Sequence, residues 1–156
     1  MNASRHVLFV CSGNTCRSPL AAALLRAHVG AVPDRALTVS SAGTSAWDGS
    51  PASEGAYLVA LERGMDLGPH RARVLTTEVI RSADLVLTMT AAQAVRAHEL
   101  GAAARVHTLA AYAMGTERGP DVSDPFGGPL EGYRATLEEL EPLIAATWER
   151  IQGRLR

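Results

Sequence analysis

The stretch best equipped for chemistry is Cys11-Ser-Gly-Asn-Thr-Cys-Arg17-Ser18-Pro19. A cysteine thiolate is a nucleophile, and an arginine fork six residues later can hold two oxygens of a phosphate. The string lies between the apolar run His6 to Val10 and the helical pattern Leu20 to Leu25, so it reads as strand, tight loop and helix start. With Ser18 as N-cap and Pro19 at the first helical position, loop N–H groups and the positive end of the helix converge on one point. Such a point binds anions, and it favours the nucleophilic thiolate at Cys11. Ser12, Gly13, Asn14, Thr15 and Cys16 would then wrap the anion, Gly13 allowing close backbone approach and Asn14 suiting a left-handed conformation.

The motif Cys11-x5-Arg17-Ser18, with Gly13, Asn14 and Cys16 inside it and Asp124-Pro125 far downstream, resembles the low-molecular-weight protein tyrosine phosphatase family over essentially the whole chain. That resemblance implies catalysis through a phosphocysteine at Cys11, with Arg17 holding the phosphoryl oxygens and Ser18 donating its hydroxyl to the sulfur. It makes Asp124 the general acid, a group this chemistry needs because the leaving atom must be protonated; Asp121 is the nearest rival. It further implies that Asn14, Ser41 and His70 prop the loop by hydrogen bonds and that Trp47 walls the substrate cleft, with a packing role for Trp47 as the alternative. Cys16 is either a passive loop residue or a redox partner closing a disulfide onto Cys11 under oxidant.

Thr15 stands where the family's tyrosine phosphatases carry Ile or Leu, and Phe126-Gly127-Gly128 stands where they carry tyrosines. Both features resemble the protein-arginine phosphatase branch, since a phosphoguanidinium wants hydrogen-bond acceptors where a phosphotyrosine ring wants apolar walls. The expected substrate is therefore protein phosphoarginine, with phosphotyrosine as the alternative. Arsenate reduction would need a cysteine relay outside the loop, and the two cysteines of this chain are both inside it. A phosphate-binding module without turnover is disfavoured by the joint presence of Cys11 and Asp124.

The chain of 156 residues carries net charge −1, and its basic residues are all arginine. This balance makes no electrostatic case for nucleic acid or an anionic membrane. No apolar run is long enough to span a bilayer, and two cysteines do not make a disulfide framework. The reading is a cytoplasmic, more often monomeric than oligomeric, domain covering residues 1–156. No cofactor is expected: no second ligand pair completes a zinc site with Cys11 and Cys16, and a Walker loop would need a lysine.

To position the motif, the pattern predicts an α/β fold, a four-stranded parallel sheet flanked by helices on both faces. Its strands are His6–Val10, Leu37–Ser40, Ala83–Met89 and Arg105–Leu109. A helix is expected from Pro19 to Val29 with Leu20, Ala23, Leu24 and Ala27 on its buried face and Gly30 as a left-handed cap. Ser53-Glu54 opens a second, ending near Gly64, and Gly68–Arg73 is irregular. Thr77–Ser82 is a short helix, and Thr90 with Gln93 forms a capping box for Ala91–Leu100, which stops at Gly101. Ala110–Pro129 reads as one long functional loop. The last helix, Leu130 to about Gln152, is expected to kink or unwind at Pro142.

Overall fold

The computed structural model describes residues 5–30, 37–101 and 105–155. Four parallel strands, β1 (Arg5–Cys11), β2 (Leu37–Gly43), β3 (Leu85–Thr88) and β4 (Val106–Thr108), form one sheet in the order β2-β1-β3-β4. The helices are α1 (Arg17–Gly30), α2 (Glu54–Glu62), α3 (Thr77–Arg81), α4 (Ala91–Glu99), α5 (Leu109–Met114) and α6 (Leu130–Leu155). This is the expected doubly covered α/β architecture.

β1 is central because it is apolar on both sides. Successive side chains of a strand point to opposite faces, and Val7, Phe9 and Cys11 join the cluster formed with α1, α2, α5 and α6. Leu8 and Val10 enter the smaller cluster shared with Ile80 of α3, Ala97 of α4 and Val106. Each such side chain, fully removed from water, stabilises the fold by roughly 1.5–3 kcal/mol. The alternation also assigns the Cys11 side chain to the α1 side of the sheet.

Several expectations are corrected. α1 begins at Arg17, its first interior bond running from the Leu20 N–H to the Cys16 carbonyl. Ser18 and Pro19 are thus inside the first turn rather than at the cap and first position. Leu20 is buried as expected, but Ala23 and Leu24 are only partly buried, Ala27 is exposed, and Ser18, Ala21, Ala22 and Leu25 complete the buried face; six alanine and leucine positions in a row offer no periodicity to read. Gly30 is the last helical residue and is not among the positive-φ glycines. Gly64 and Gly101 are, with φ of 76° and 107°, as their stop roles require.

β2 continues through Ser41 to Gly43, whereas β3 and β4 are shorter than expected. Part of the predicted long loop is α5, capped by the Thr108 hydroxyl on the Ala111 N–H and ended by Gly115 at φ 70°. α6 runs unbroken through Pro142. Its loss of one interior N–H is tolerated because Leu140, Ile144, Trp148 and Ile151 hold the helix into the core on both sides of the proline.

At the carboxyl end of β2, Gly43 is paired with Cys11, and a Cβ there would lie 2.4 Å from the Ser12 carbonyl oxygen and 2.9 Å from the Asn14 nitrogen. Both obstacles are backbone, so they cannot rotate away. Gly43→Ala is expected to lower stability by about 1–3 kcal/mol, roughly 3–10 °C in Tm for a domain of this size, and to lower turnover more than substrate affinity; thermal melts with steady-state kinetics check this.

Candidate active site

Residues 11–18 leave β1, fold around a concavity and enter α1. The turn depends on Asn14, the one non-glycine residue with positive φ (56°) among the described residues, a conformation that asparagine tolerates better than most. Cys11 is only 2% exposed. Its Sγ is 3.2 Å from the Asn14 N–H and 2.9 Å from the Ser18 hydroxyl oxygen.

The direction of the second contact follows from its neighbours. The Arg73 N–H donates to Asn14 Oδ1 at 2.9 Å, which fixes the amide orientation. Asn14 Nδ2 then donates to Ser18 Oγ at 2.8 Å and to Ser41 Oγ at 2.9 Å. With Ser18 Oγ accepting from Asn14, its own proton is free to point at the sulfur. His70 Nε2 lies 2.7 Å from the Asn14 carbonyl, so that nitrogen carries the proton and donates. Burial lowers the His70 pKa despite that bond, with the charges of Arg26 and Arg71 adding to the effect. The neutral ring is the form that suits this strut.

Arg17 is buried, with Nη1 donating to the Val122 carbonyl at 3.2 Å and Nη2 placed 3.4 Å from Asp124 Oδ2. Asp124 is half exposed and its other oxygen accepts from the Phe126 N–H. The two candidate acids separate here. Asp121 accepts from the Ala91 N–H at the start of α4, a capping position that leaves it facing the helix, whereas Asp124 meets the arginine of the loop.

The acid segment is held on both sides. The Val122 N–H donates to the Met89 carbonyl, and the Ser123 N–H donates to Glu139 of α6. The segment bearing Trp47 is tied to the loop by the Thr44 N–H on the Cys11 carbonyl and the Ser45 N–H on the Ser12 carbonyl. Trp47 is 82% exposed and Phe126 80%, which rules out the packing alternative for Trp47 and leaves both rings open to a ligand. Large exposed aromatic groups on loops are the usual material of recognition surfaces.

Three residues near the loop were not singled out for this role in the sequence. The Ser53 N–H and hydroxyl both donate to the Thr15 carbonyl, at 2.9 and 3.1 Å; Ser53 therefore opens α2 without a side-chain cap bond of its own. Arg73 supplies the backbone donor to Asn14 and a side-chain donor to the Ser41 carbonyl. Gln93 completes its capping box, accepting from the Met89 and Thr90 N–H groups, and also donates from Nε2 to Ser12 Oγ at 3.1 Å. The capping-box spacing announced Gln93 but not its second partner, which is 81 residues away. Nothing local marks Arg73 or the Ser53 bonds.

Cys16 is buried and its thiol is pushed up to about 12, by burial first and then by Cys11 and Asp124, against the opposing charge of Arg17. It stays protonated through neutral pH and is a weak nucleophile there. Iodoacetamide between about pH 6 and 9 is expected to label Cys11 and spare Cys16 in the folded protein, as peptide mass spectrometry after denaturation reads; equal labelling would contradict the assignment. Gln93→Glu keeps both cap acceptors but removes the donor to Ser12, so it is expected to leave the Tm within about 2 °C and to lower kcat/KM roughly ten-fold, as one lost hydrogen bond would. A matched melt and kinetic comparison with Gln93→Ala, which loses the cap as well, checks it.

The family model described as low molecular weight phosphotyrosine protein phosphatase matches residues 6–155. A protein-arginine-phosphatase of Geobacillus stearothermophilus is 43% identical over 94% of this chain and 95% of its own length. The solved YwlE arginine phosphatase from Geobacillus stearothermophilus aligns at a TM-score of 0.86 and 42% identity, covering 96% of this chain and 94% of that one. A low molecular weight protein tyrosine phosphatase from T. tengcongensis aligns at 0.84 and 39%, covering 94% and 99%. Joined to the cysteine and arginine loop described above, these likenesses show that the chain belongs to the low molecular weight phosphotyrosine protein phosphatase family and is a cysteine-dependent phosphatase.

Proposed function

We propose that the chain hydrolyses phosphoarginine in proteins by way of a phosphocysteine on Cys11. In the first step Cys11 Sγ attacks phosphorus and the P–N bond breaks, the nitrogen leaving with a proton from Asp124. Arg17 and the loop N–H groups hold the three phosphoryl oxygens as charge gathers on them. In the second step water attacks the phosphocysteine, passing its proton to the Asp124 carboxylate while the S–P bond breaks. The Ser18 hydroxyl, turned towards the sulfur by Asn14, stabilises the departing thiolate.

The observation that carries the choice of substrate is Thr15. Its carbonyl is clamped by two bonds from Ser53, and its hydroxyl engages no protein partner in the described structure. A held residue with an unengaged hydroxyl suits a substrate that brings its own donors, as a phosphoguanidinium does. The arginine-phosphatase names of the relatives at 43% and 39% identity agree with this reading. The exposed rings of Trp47 and Phe126 favour phosphotyrosine as the second reading, because an aromatic leaving group would stack on them.

Cys11→Ser is expected to abolish turnover while retaining a folded, oxyanion-binding protein, since the remaining donors are backbone groups and Arg17. Thr15→Ile is expected to lower kcat/KM on phosphoarginine peptides by a hundred-fold or about that much, while preserving or raising it on matched phosphotyrosine peptides. A wild-type preference for phosphotyrosine would overturn the phosphoarginine assignment, and equal losses on both substrates would mean that Thr15 only shapes the loop.

A further inference from the structure

The props behind the loop also form one side of a cavity of about 680 Å³. It lies between α1, β2 and the connection from Met65 to Arg73, and none of Cys11 to Arg17, Trp47 or Asp124 lines it. Arg26, Arg71 and Arg73 bring three guanidinium groups to its walls, against the single carboxylate of Asp66. All three arginines donate to backbone carbonyls: Arg26 to Val39, Arg71 to Gly68 and His70, and Arg73 to Ser41. None of them is in an ion pair among the described residues, where the paired arginines are Arg17, Arg63, Arg96 and Arg134.

Cationic forks held by neutral acceptors keep their full charge and spare N–H groups for an oxyanion. Ala23, Met65, Leu67 and Pro69 supply apolar wall in the same cavity. Its volume falls in the range of pockets that take small organic molecules and is far larger than an inorganic anion needs. We propose that this cavity is a second anion site, taking a small organic phosphate or phosphonate whose charged group meets Arg26 and Arg71 and whose apolar body rests on the Met65 and Leu67 side.

Such a ligand is coupled to the catalytic loop through two residues that serve both places. His70 and Arg73 line the cavity and also hold the Asn14 carbonyl and Oδ1. A charge bound beside them changes the field at the imidazole that already responds to Arg26 and Arg71. The cavity is thereby a place from which loop order can be biased without competing for Cys11. This inference does not depend on whether phosphoarginine or phosphotyrosine is the substrate.

The test is a nuclear magnetic resonance titration of ¹⁵N-labelled enzyme with phenylphosphonate after the catalytic loop has been filled with vanadate. The expected result is saturable movement of the Arg26 and Arg71 Nε–H signals, accompanied by the Asn14 side-chain amide, with the Gly13 signal staying at its vanadate-bound position. Arg71→Gln, a substitution at an exposed position, is expected to weaken that binding at least ten-fold while vanadate inhibition stays within two-fold. Arg26→Gln gives an independent second reading. Arginine signals that do not move, or movement unchanged in both variants, would overturn the proposal.

Discussion

A buried polar sulfur needs protein hydrogen-bond partners in place of solvent, and those of Cys11 Sγ, a residue only 2% exposed, are the Asn14 N–H and the Ser18 hydroxyl. Neither is useful without correct orientation. The Asn14 backbone must be left-handed for its N–H to face the sulfur, and its side chain must be held with nitrogen towards Ser18. The first requirement is met with the help of His70 on the Asn14 carbonyl, the second by the Arg73 N–H on Oδ1. Gly43 then leaves room for the loop backbone to pass close to β2. Much of the arrangement between β2 and the 70–73 connection serves that one sulfur.

The elements legible in the sequence are those whose determinants lie close together along the chain. The cysteine loop, its flanking strand and helix, and the left-handed Asn14 were legible because the determinants are contiguous. The parallel doubly covered sheet was legible from the alternation of apolar runs with helical ones. Ser-Pro is a common helix opening and reads as a cap at Ser18, whereas the Cys16 carbonyl already receives the first helical bond and frees the Ser18 side chain for Cys11. α5 is hard to see in the sequence because Leu109 to Met114 is six residues with no polar face to create a period; Thr108 before it and Gly115 after it are its signals.

Partners distant in sequence were beyond reach. Gln93 shows why: its spacing from Thr90 is a local cap signature, yet the bond that ties α4 to the catalytic loop reaches Ser12, 81 residues away. Asp121 and Asp124 could not be ranked by geometry until the fold gave one a helix terminus and the other a guanidinium. Tertiary structure here separates residues of identical chemistry by giving each a different donor.

The long span between Arg17 and the Val122 carbonyl, 105 residues, has a consequence for the way the protein comes into being. The nucleophilic loop leaves the ribosome before its struts at Ser41, His70, Arg73 and Gln93, which emerge progressively later, and before the segment carrying Asp124. Contacts so separated in sequence form late, because the intervening chain must be ordered first. The nascent polypeptide therefore carries Cys11 before the residues that orient it, and the loop gains its full set of struts only when the Val122 segment and α6 have docked onto the sheet.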